Sequence, residues 1–346
     1  MNILSLKENC FFVGRAATAI FLILKSENME NKAILYPANV CYAAIYPALY
    51  AGCLPVFCDV CVDDGNVTYK EICKYIDQVS AIVIPHMYGN PVKDIEKIRV
   101  LCKEKDVLFI EDCASAMGAE LPEGLCGSFG DYSIFSTGYS KTIDIGNGGF
   151  LLTNRSIKKM NDIYEQLPMW NQQTEENESF FSKLYRLIRN NKKQNLDQYI
   201  WDGLRNNLRD VFLYRYPEIG SKIKEAICGL SETVNLRRRK MALYQKLIQE
   251  NDILRIYKFH DGAVPWRFNL LVSEDFKQYF IDELLKQKVP VSDWYPSVTP
   301  IFGNQGNYKN TKIMENQIVN FPLLIDDDEI KRICDCINRI ANREKR

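Results

Sequence analysis

The chain has 346 residues, 47% hydrophobic and 25% charged, an ordinary globular composition that excludes intrinsic disorder and fibrous repeats and leaves room for about two domains. Lys plus Arg is 44 and Asp plus Glu is 44, so no chain-wide field exists to collect nucleic acid or an anionic membrane, and neither is expected as a partner.

The first apolar run, Ala16 to Leu24, falls far short of the roughly 20 residues of a membrane span. With Gly14 and Arg15 before it and no small-residue cleavage site after it, it reads as a buried helix. Ala33 to Tyr36, Pro55 to Val60, Ala81 to Pro85 and Val107 to Glu111 read as buried strands. Between them, Tyr42 to Tyr50, Tyr69 to Gln78 and Val92 to Lys105 carry apolar residues at helical spacing. This alternation implies an α/β fold with a mostly parallel sheet covered by helices. Asp131 to Ser136 and Gly148 to Thr153 add two strands around a segment rich in Gly, Ser and Thr.

From Ser156 to about Tyr216 the pattern turns polar and helical, including Asn171 to Ser179 and Asn190 to Asn195, and reads as an insertion. Ser221 to Glu250 reads as one long helix whose Arg237, Arg238, Arg239 and Lys240 form either an anion site or, as is more usual for such a run on a helix, a solvated face. Strand-like Phe268 to Val272, a helix near Phe276 to Gln287 and a last helix from Asp328 complete the chain. The expected division is a large α/β domain over 1–220 and a smaller C-terminal α+β domain over 221–346. Twelve cysteines, several within apolar segments (Cys53, Cys58, Cys113, Cys228), fit reduced core thiols and a cytoplasmic location. Cys58 and Cys61 have CxxC spacing, but no second pair exists and only His86 and His260 could assist, so no metal is expected.

Three segments point to chemistry. In Phe12-Val-Gly-Arg-Ala-Ala-Thr-Ala-Ile20 a Gly turn runs into an apolar helix, so the amides of Arg15 and Ala16 lie at a helix start suited to an anion, or Gly14 serves only the turn. In Leu108-Phe-Ile-Glu-Asp-Cys-Ala114 a strand ends in carboxylates at the sheet edge where ligands bind, or Asp112 merely caps the next helix. In Asp131-Tyr-Ser-Ile-Phe-Ser-Thr-Gly-Tyr-Ser-Lys141 a lysine stands between a strand end and the Gly-rich turn Gly146-Asn-Gly-Gly149, a candidate Schiff-base lysine if its amine is neutral.

In order and spacing these residues, with Pro37, Pro-Val-Phe-Cys-Asp59 and Pro85-His-Met-Tyr-Gly-Asn-Pro91, resemble the DegT/StrS family of pyridoxal-phosphate-dependent sugar aminotransferases. The resemblance is continuous from about residue 10 to 155 and resumes at Arg239 to Tyr244 and from Pro265-Trp-Arg-Phe268 through Trp294-Tyr-Pro296. It implies the type I pyridoxal-phosphate fold, with a large cofactor domain and a smaller C-terminal α+β domain. It assigns Lys141 as the residue that binds the cofactor and moves the proton, and Asp112 as the partner of the pyridine nitrogen. Ser136 and the Gly14, Arg15 and Ala16 turn would take the phosphate. Ser115 stands where relatives carry Gln or His near the cofactor hydroxyl. The ring-stacking aromatic of many relatives falls at Cys41, with Tyr42 next to it, so either covers the ring. The Asn segment by which many relatives reach a neighbouring subunit's phosphate is replaced by Phe212-Leu-Tyr-Arg-Tyr-Pro217.

The implied activity is transfer of an amino group, with glutamate the expected donor, to a keto group of a nucleotide-linked sugar in amino-sugar or surface-polysaccharide biosynthesis. A homodimer is the expected assembly, and Arg267, Trp294 and Tyr295 are the expected substrate contacts. The rivals are a dehydratase or deaminase using the same cofactor, in whose dehydratase branch a His replaces the lysine, and a cofactor-binding homologue without activity.

Overall fold

Strand β1 (Asn9–Val13) turns through Gly14 and Arg15 into α1 (Ala16–Ser26). Ala17 to Leu24 are all buried, as befits a helix that is apolar on every side. Next in the chain are β2 (Ala33–Pro37), α2 (Tyr42–Tyr50), β3 (Leu54–Cys58), α3 (Tyr69–Ile72), β4 (Ala81–Pro85), α4 (Ile95–Glu104) and β5 (Leu108–Asp112). A small hairpin, β6 (Glu120–Leu121) and β7 (Gly124–Leu125), precedes β8 (Tyr132–Ser136) and β9 (Gly149–Thr153). This computed structural model describes residues 2–190, 203, 207–303 and 306–343.

The main sheet has the order β1-β9-β8-β5-β4-β2-β3. Its β3-β2-β4-β5-β8 portion is parallel, and β9 and β1 join antiparallel. Every residue of β4, β5 and β8 is buried, because both faces of a parallel sheet are covered. One apolar layer contains α1, α2 and the segment around Phe212, and the other contains α4 with the residues packed on it.

Helices α5 (Lys158–Tyr164), α6 (Gln172–Asn190) and α7 (Arg209–Phe212) occupy the polar stretch, and beyond Asn190 the expected segment to Asn195 lies outside the described residues. The expected long helix from Ser221 is two: α8 (Ile219–Ile227) and α9 (Leu230–Leu247). Hydrogen bonds from Cys228 N to Glu225 O and Gly229 N to Ala226 O tighten the end of α8, and Gly229 becomes the cap of α9. Cys228 at this break is exposed, contrary to its reading as a core thiol, whereas Cys53, Cys58 and Cys113 are buried. Helix Tyr69 to Gln78 is also shorter than expected, because after Cys73 the bonds change to three-residue spacing, Lys74 N to Glu71 O and Tyr75 N to Ile72 O.

The second core is a sheet of order β10-β11-β12, built from β10 (Leu254–Ile256), β11 (Phe268–Val272) and β12 (Ile318–Phe321). It is covered by α9, α10 (Glu274–Lys286) and α12 (Asp327–Arg343), and α11 (Lys309–Gln317) leads into β12. Along α9, Leu230 and Val234 join the apolar cluster of the large sheet while Met241 and Tyr244 join the second core. The exchange of cores thus lies within α9, and a division at residue 220 is a proposed boundary.

Backbone pairing ties the two parts. Trp266 N donates to Tyr88 O at 2.8 Å, Val264 N to Gly89 O at 3.0 Å and Glu120 N to Gly262 O at 3.0 Å. Gly89 has φ +83°, and a Cβ there would stand 1.9 Å from Val264 O. Gly89→Ala should therefore cost about 3 kcal/mol or more, since it adds both left-handed strain and a collision with backbone. Urea unfolding read by tryptophan fluorescence checks this; an unchanged midpoint would show that the seam is not held at Gly89.

Candidate active site

The carboxyl ends of β5 and β8 and the start of α1 converge. Asp112 ends β5, Ser136 ends β8, and Gly148 N donates to Gly14 O at 2.8 Å, which lays the Gly-rich turn against the helix start. Arg15 pairs with Gly148 in a parallel bridge. A Cβ on Gly149 would stand 2.6 Å from Phe135 O and 2.8 Å from Ala16 N, so only glycine allows this approach. The Ser136 hydroxyl accepts the Gly138 amide at 3.3 Å. The other end of the sheet carries an open hollow of about 1170 Å³ between Lys7, Glu27, Arg99, Asp131 and Arg155, of mixed charge and away from these residues.

Lys141 follows Ser140, whose left-handed backbone (φ 65°) is held by a bond from its amide to Asp144 Oδ2 at 2.6 Å. Lys141 Nζ donates to Ser115 Oγ at 3.2 Å. Burial lowers its proton affinity; Cys41 and Asp112 oppose that effect, and the cations Arg267 and Arg15 reinforce it. Asp112 is raised by burial against the opposing pull of the Ala114 amide and of Lys141. Its Oδ1 takes the Ala114 amide at 2.9 Å, and its other oxygen has no protein partner among the described residues. The structure thus brings part-buried Lys141, Ser115 and Cys41 together with buried Asp112.

Beside Asp112, Glu111 is a fully buried carboxylate with every lone pair engaged. Oε1 accepts from Gly127 N at 2.6 Å and His86 Nε2 at 3.0 Å; Oε2 accepts from Phe129 N at 2.9 Å, Gly130 N at 3.0 Å and Ser133 Oγ at 3.2 Å. Val92 N donates to His86 Nδ1 at 3.0 Å, so that nitrogen carries no proton and His86 is a neutral donor through Nε2. Burial alone would raise Glu111, but the bonds from His86, Gly127 and Gly130 outweigh it and hold its carboxyl below the ordinary carboxylate range. His86, Glu111 and Cys113 place ligand-type atoms within 4.8 Å of one another, yet the imidazole and the carboxylate are already saturated by these bonds.

The basic run on α9 is not a uniform solvated face. Arg237 and Lys240 are buried, while Arg239 pairs with Asp327 at the surface. Arg237 Nη2 donates to the carbonyl of Lys141 at 2.7 Å, and Nη1 to Trp266 O at 2.9 Å and Pro265 O at 3.2 Å. Trp266 Nε1 donates to Ser140 O at 2.8 Å. The lysine loop is therefore clamped from the second part of the chain. Helical periodicity could not show this, because a buried arginine satisfied by carbonyls leaves no sign in composition.

The alternatives at 41 and 42 separate. The Tyr42 ring lies 4.3 Å from that of Tyr185 and 5.4 Å from that of Phe181 on α6, inside an aromatic cluster. Cys41 instead stands within the electrostatic reach of Lys141, Arg15 and Asp112, its thiol raised by burial. Tyr185 also stacks on Trp294 at 5.7 Å, and Glu178 of the same helix pairs with Arg15 at 2.5 Å, so α6 lies against this end of the sheet. Tyr295 stacks on Trp266 at 5.4 Å. Arg267 donates to Ser292 Oγ at 2.6 Å and to Ser140 Oγ at 3.3 Å. In the Phe212 to Pro217 segment Leu213 is wholly buried and Arg215 pairs with Glu165 at 2.5 Å, so both are spent within their own chain.

Comparison with known proteins adds the chemistry. The DegT/DnrJ/EryC1/StrS aminotransferase family matches residues 4–338. GDP-perosamine synthase of Escherichia coli O157:H7 is 27% identical over 353 residues, which span 94% of this chain and 84% of that protein. A dTDP-3-amino-3,6-dideoxy-alpha-D-galactopyranose transaminase of Aneurinibacillus thermoaerophilus is 23% identical over 349 residues, 95% of this chain and 85% of its own. Among solved structures, Helicobacter pylori PseC, an aminotransferase involved in the biosynthesis of pseudoaminic acid, superposes with a TM-score of 0.76 at 18% identity, covering 99% of this chain and 89% of that one. E. coli GDP-4-keto-6-deoxy-D-mannose-3-dehydratase with bound hydrated PLP gives 0.72 at 17% identity, covering 97% and 86%. These likenesses establish the type I pyridoxal-phosphate fold.

The Glu111 network carries a pH signature. Its carboxyl is held below the ordinary 4.5 in the folded chain, so its contribution is complete above pH 4.5 and is lost as pH falls through the folded value. Glu111→Gln, which lays an amide N–H₂ against backbone donors, should lower stability by about 3 kcal/mol at pH 7 and flatten the acid limb below pH 4.5. Denaturant unfolding of both proteins from pH 3 to 7 checks this; parallel pH curves would show that Glu111 is not the group responsible.

Proposed function

The chain belongs to the DegT/DnrJ/EryC1/StrS aminotransferase family, and from that premise we propose that it transfers an amino group from glutamate to a keto group of a nucleotide-linked sugar. Enzymes of this family depend on pyridoxal 5′-phosphate, which supplies a carbonyl that stores the amino group and a protonated ring that accepts electrons when a Cα–H bond breaks. The residues present fit that group. A carboxylate with one oxygen unpaired among the described residues lies within electrostatic reach of a lysine whose proton affinity burial lowers, beside a serine hydroxyl and a glycine turn at a helix start.

The placement of part-buried Lys141 within the electrostatic reach of buried Asp112 carries the reading. Lys141, whose proton affinity burial lowers, would bind the cofactor and then take the proton from the donor's Cα at Nζ. Ser115 orients that nitrogen at 3.2 Å. Asp112, fixed through Oδ1 by the Ala114 amide, would direct its other oxygen to the ring nitrogen and hold a proton there. The first turn of α1 with Ser136 would receive the phosphate. Cys41 would lie over the ring face, while Tyr42 keeps its place in the aromatic cluster on α6. Arg267, Trp294 and Tyr295 would meet substrate.

No helix among the described residues is long and apolar enough to cross a membrane. We place the enzyme in the cytoplasm, where its twelve free cysteines would stay reduced. A homodimer is the proposed assembly, and with Leu213 inside its own core that segment would not complete a neighbour's phosphate site.

Glutamate alone tests the proposal. Cofactor-loaded protein without any sugar should release one equivalent of 2-oxoglutarate per site and stop, and a keto-sugar nucleotide should then restart turnover and yield an amino sugar. Lys141→Ala should release none, and Asp112→Asn should be slower by about 100-fold or more. If neither glutamate, glutamine nor aspartate yields its keto acid in loaded, folded protein, the proposal fails.

A further inference from the structure

Arg267 is a partly buried cation with no acidic partner among the described residues. Its guanidinium lies 4.4 Å from the centre of the Trp266 indole. Its protein acceptors among the described residues are two neutral hydroxyls, Ser292 Oγ and Ser140 Oγ. A guanidinium has five N–H donors, so three remain for something else. Arg237 also pairs with no carboxylate among the described residues, but three backbone carbonyls take its Nη1 and Nη2. Burial lowers the proton affinity of Arg267, and the ionisable groups that act against this are Tyr295 and Tyr139, not carboxylates. A charge in such surroundings calls for a counter-charge.

The position of Arg267 says which anion. Ser140, which it contacts, immediately precedes Lys141, and the cation weighs directly on the lysine amine. In an amino acid donor the carboxylate is bonded to the very carbon that must reach Lys141. In a nucleotide-linked sugar a whole sugar ring separates the diphosphate from the reacting carbon. The two serines bond the guanidinium, and the Trp266 ring beneath it, itself stacked on Tyr295 at 5.4 Å, shields it in part from water, which strengthens a charge-assisted pair.

We propose that Arg267 is the subsite for the α-carboxylate of the amino donor, seated between Ser140 and Ser292 on the face of Trp266; this rests on the aminotransferase reading. The subsite selects α-amino acids over simple amines and delivers the donor's Cα to Lys141 Nζ. In the second half-reaction the sugar needs no contact with Arg267 through its diphosphate.

The test uses cofactor-loaded protein and 2-methylglutamate, a donor analogue that has no Cα–H to lose, with binding measured by calorimetry. Arg267→Gln should weaken 2-methylglutamate by about 10- to 100-fold, the loss expected for one charge-assisted pair. Arg267→Lys should recover part of it, and is the variant to read if the glutamine form does not retain cofactor. The preference for glutamate over its α-carboxamide in the donor half-reaction should fall toward unity in Arg267→Gln, while affinity for GDP, UDP and dTDP stays within about threefold. Unchanged 2-methylglutamate binding in Arg267→Gln, with glutamate still converted by the wild type, overturns this subsite alone. A loss confined to the nucleoside diphosphates also overturns it and gives Arg267 to the sugar nucleotide. A wild type that neither binds nor converts any amino acid overturns the aminotransferase reading and the subsite together.

Discussion

A carboxylate and an amine, Asp112 and Lys141, are kept out of bulk water at one end of a parallel sheet, and each resists its charged form there. Desolvation makes such a placement costly, so the surroundings must hold it. Glu111 pins the 127–130 loop to β5 through three backbone amides. Glycines at 148 and 149 let the turn after Lys141 lie on α1. Arg237 and Trp266 grip the carbonyls of Lys141 and Ser140 from across the chain. Removal of any of these would leave the two groups buried but unaligned.

The second part of the chain thereby does more than cover the site. Trp266 pairs through its backbone with Tyr88 in the large sheet's loops and through its indole with the lysine loop, and Arg267 is the next residue. Asp59 at the end of β3 accepts the amides of Asn310 and Thr311 at 2.9 and 2.8 Å, which anchors α11 to the large part. Small displacements between the two parts would therefore register at Lys141 itself.

The central strands are legible in the sequence because residues such as Ile82 to Ile84 and Phe109 to Ile110 are buried on both faces and read as apolar runs. Strands β1 and β12 are not, since Asn9 opens the one, Asn320 stands inside the other, and their partners are distant in sequence. Asp112 and Lys141 can be marked from strand ends and from resemblance, but their burial together depends on β5 and β8 being neighbours, which no local pattern states. Arg237 escapes such a reading because a run of basic residues on a helix is usually solvated, and only the tertiary structure shows which one turns inward. Whether position 41 or 42 turns to the site depends on α6, whose aromatic residues draw Tyr42 away.

Borohydride reduction of the pyridoxal-phosphate-loaded protein, followed by proteolysis and mass mapping, tests most directly that this pocket is the cofactor site. The cofactor mass should be fixed to a single peptide, on Lys141. Cofactor fixed to another lysine, with Lys141 unmodified, would contradict the account.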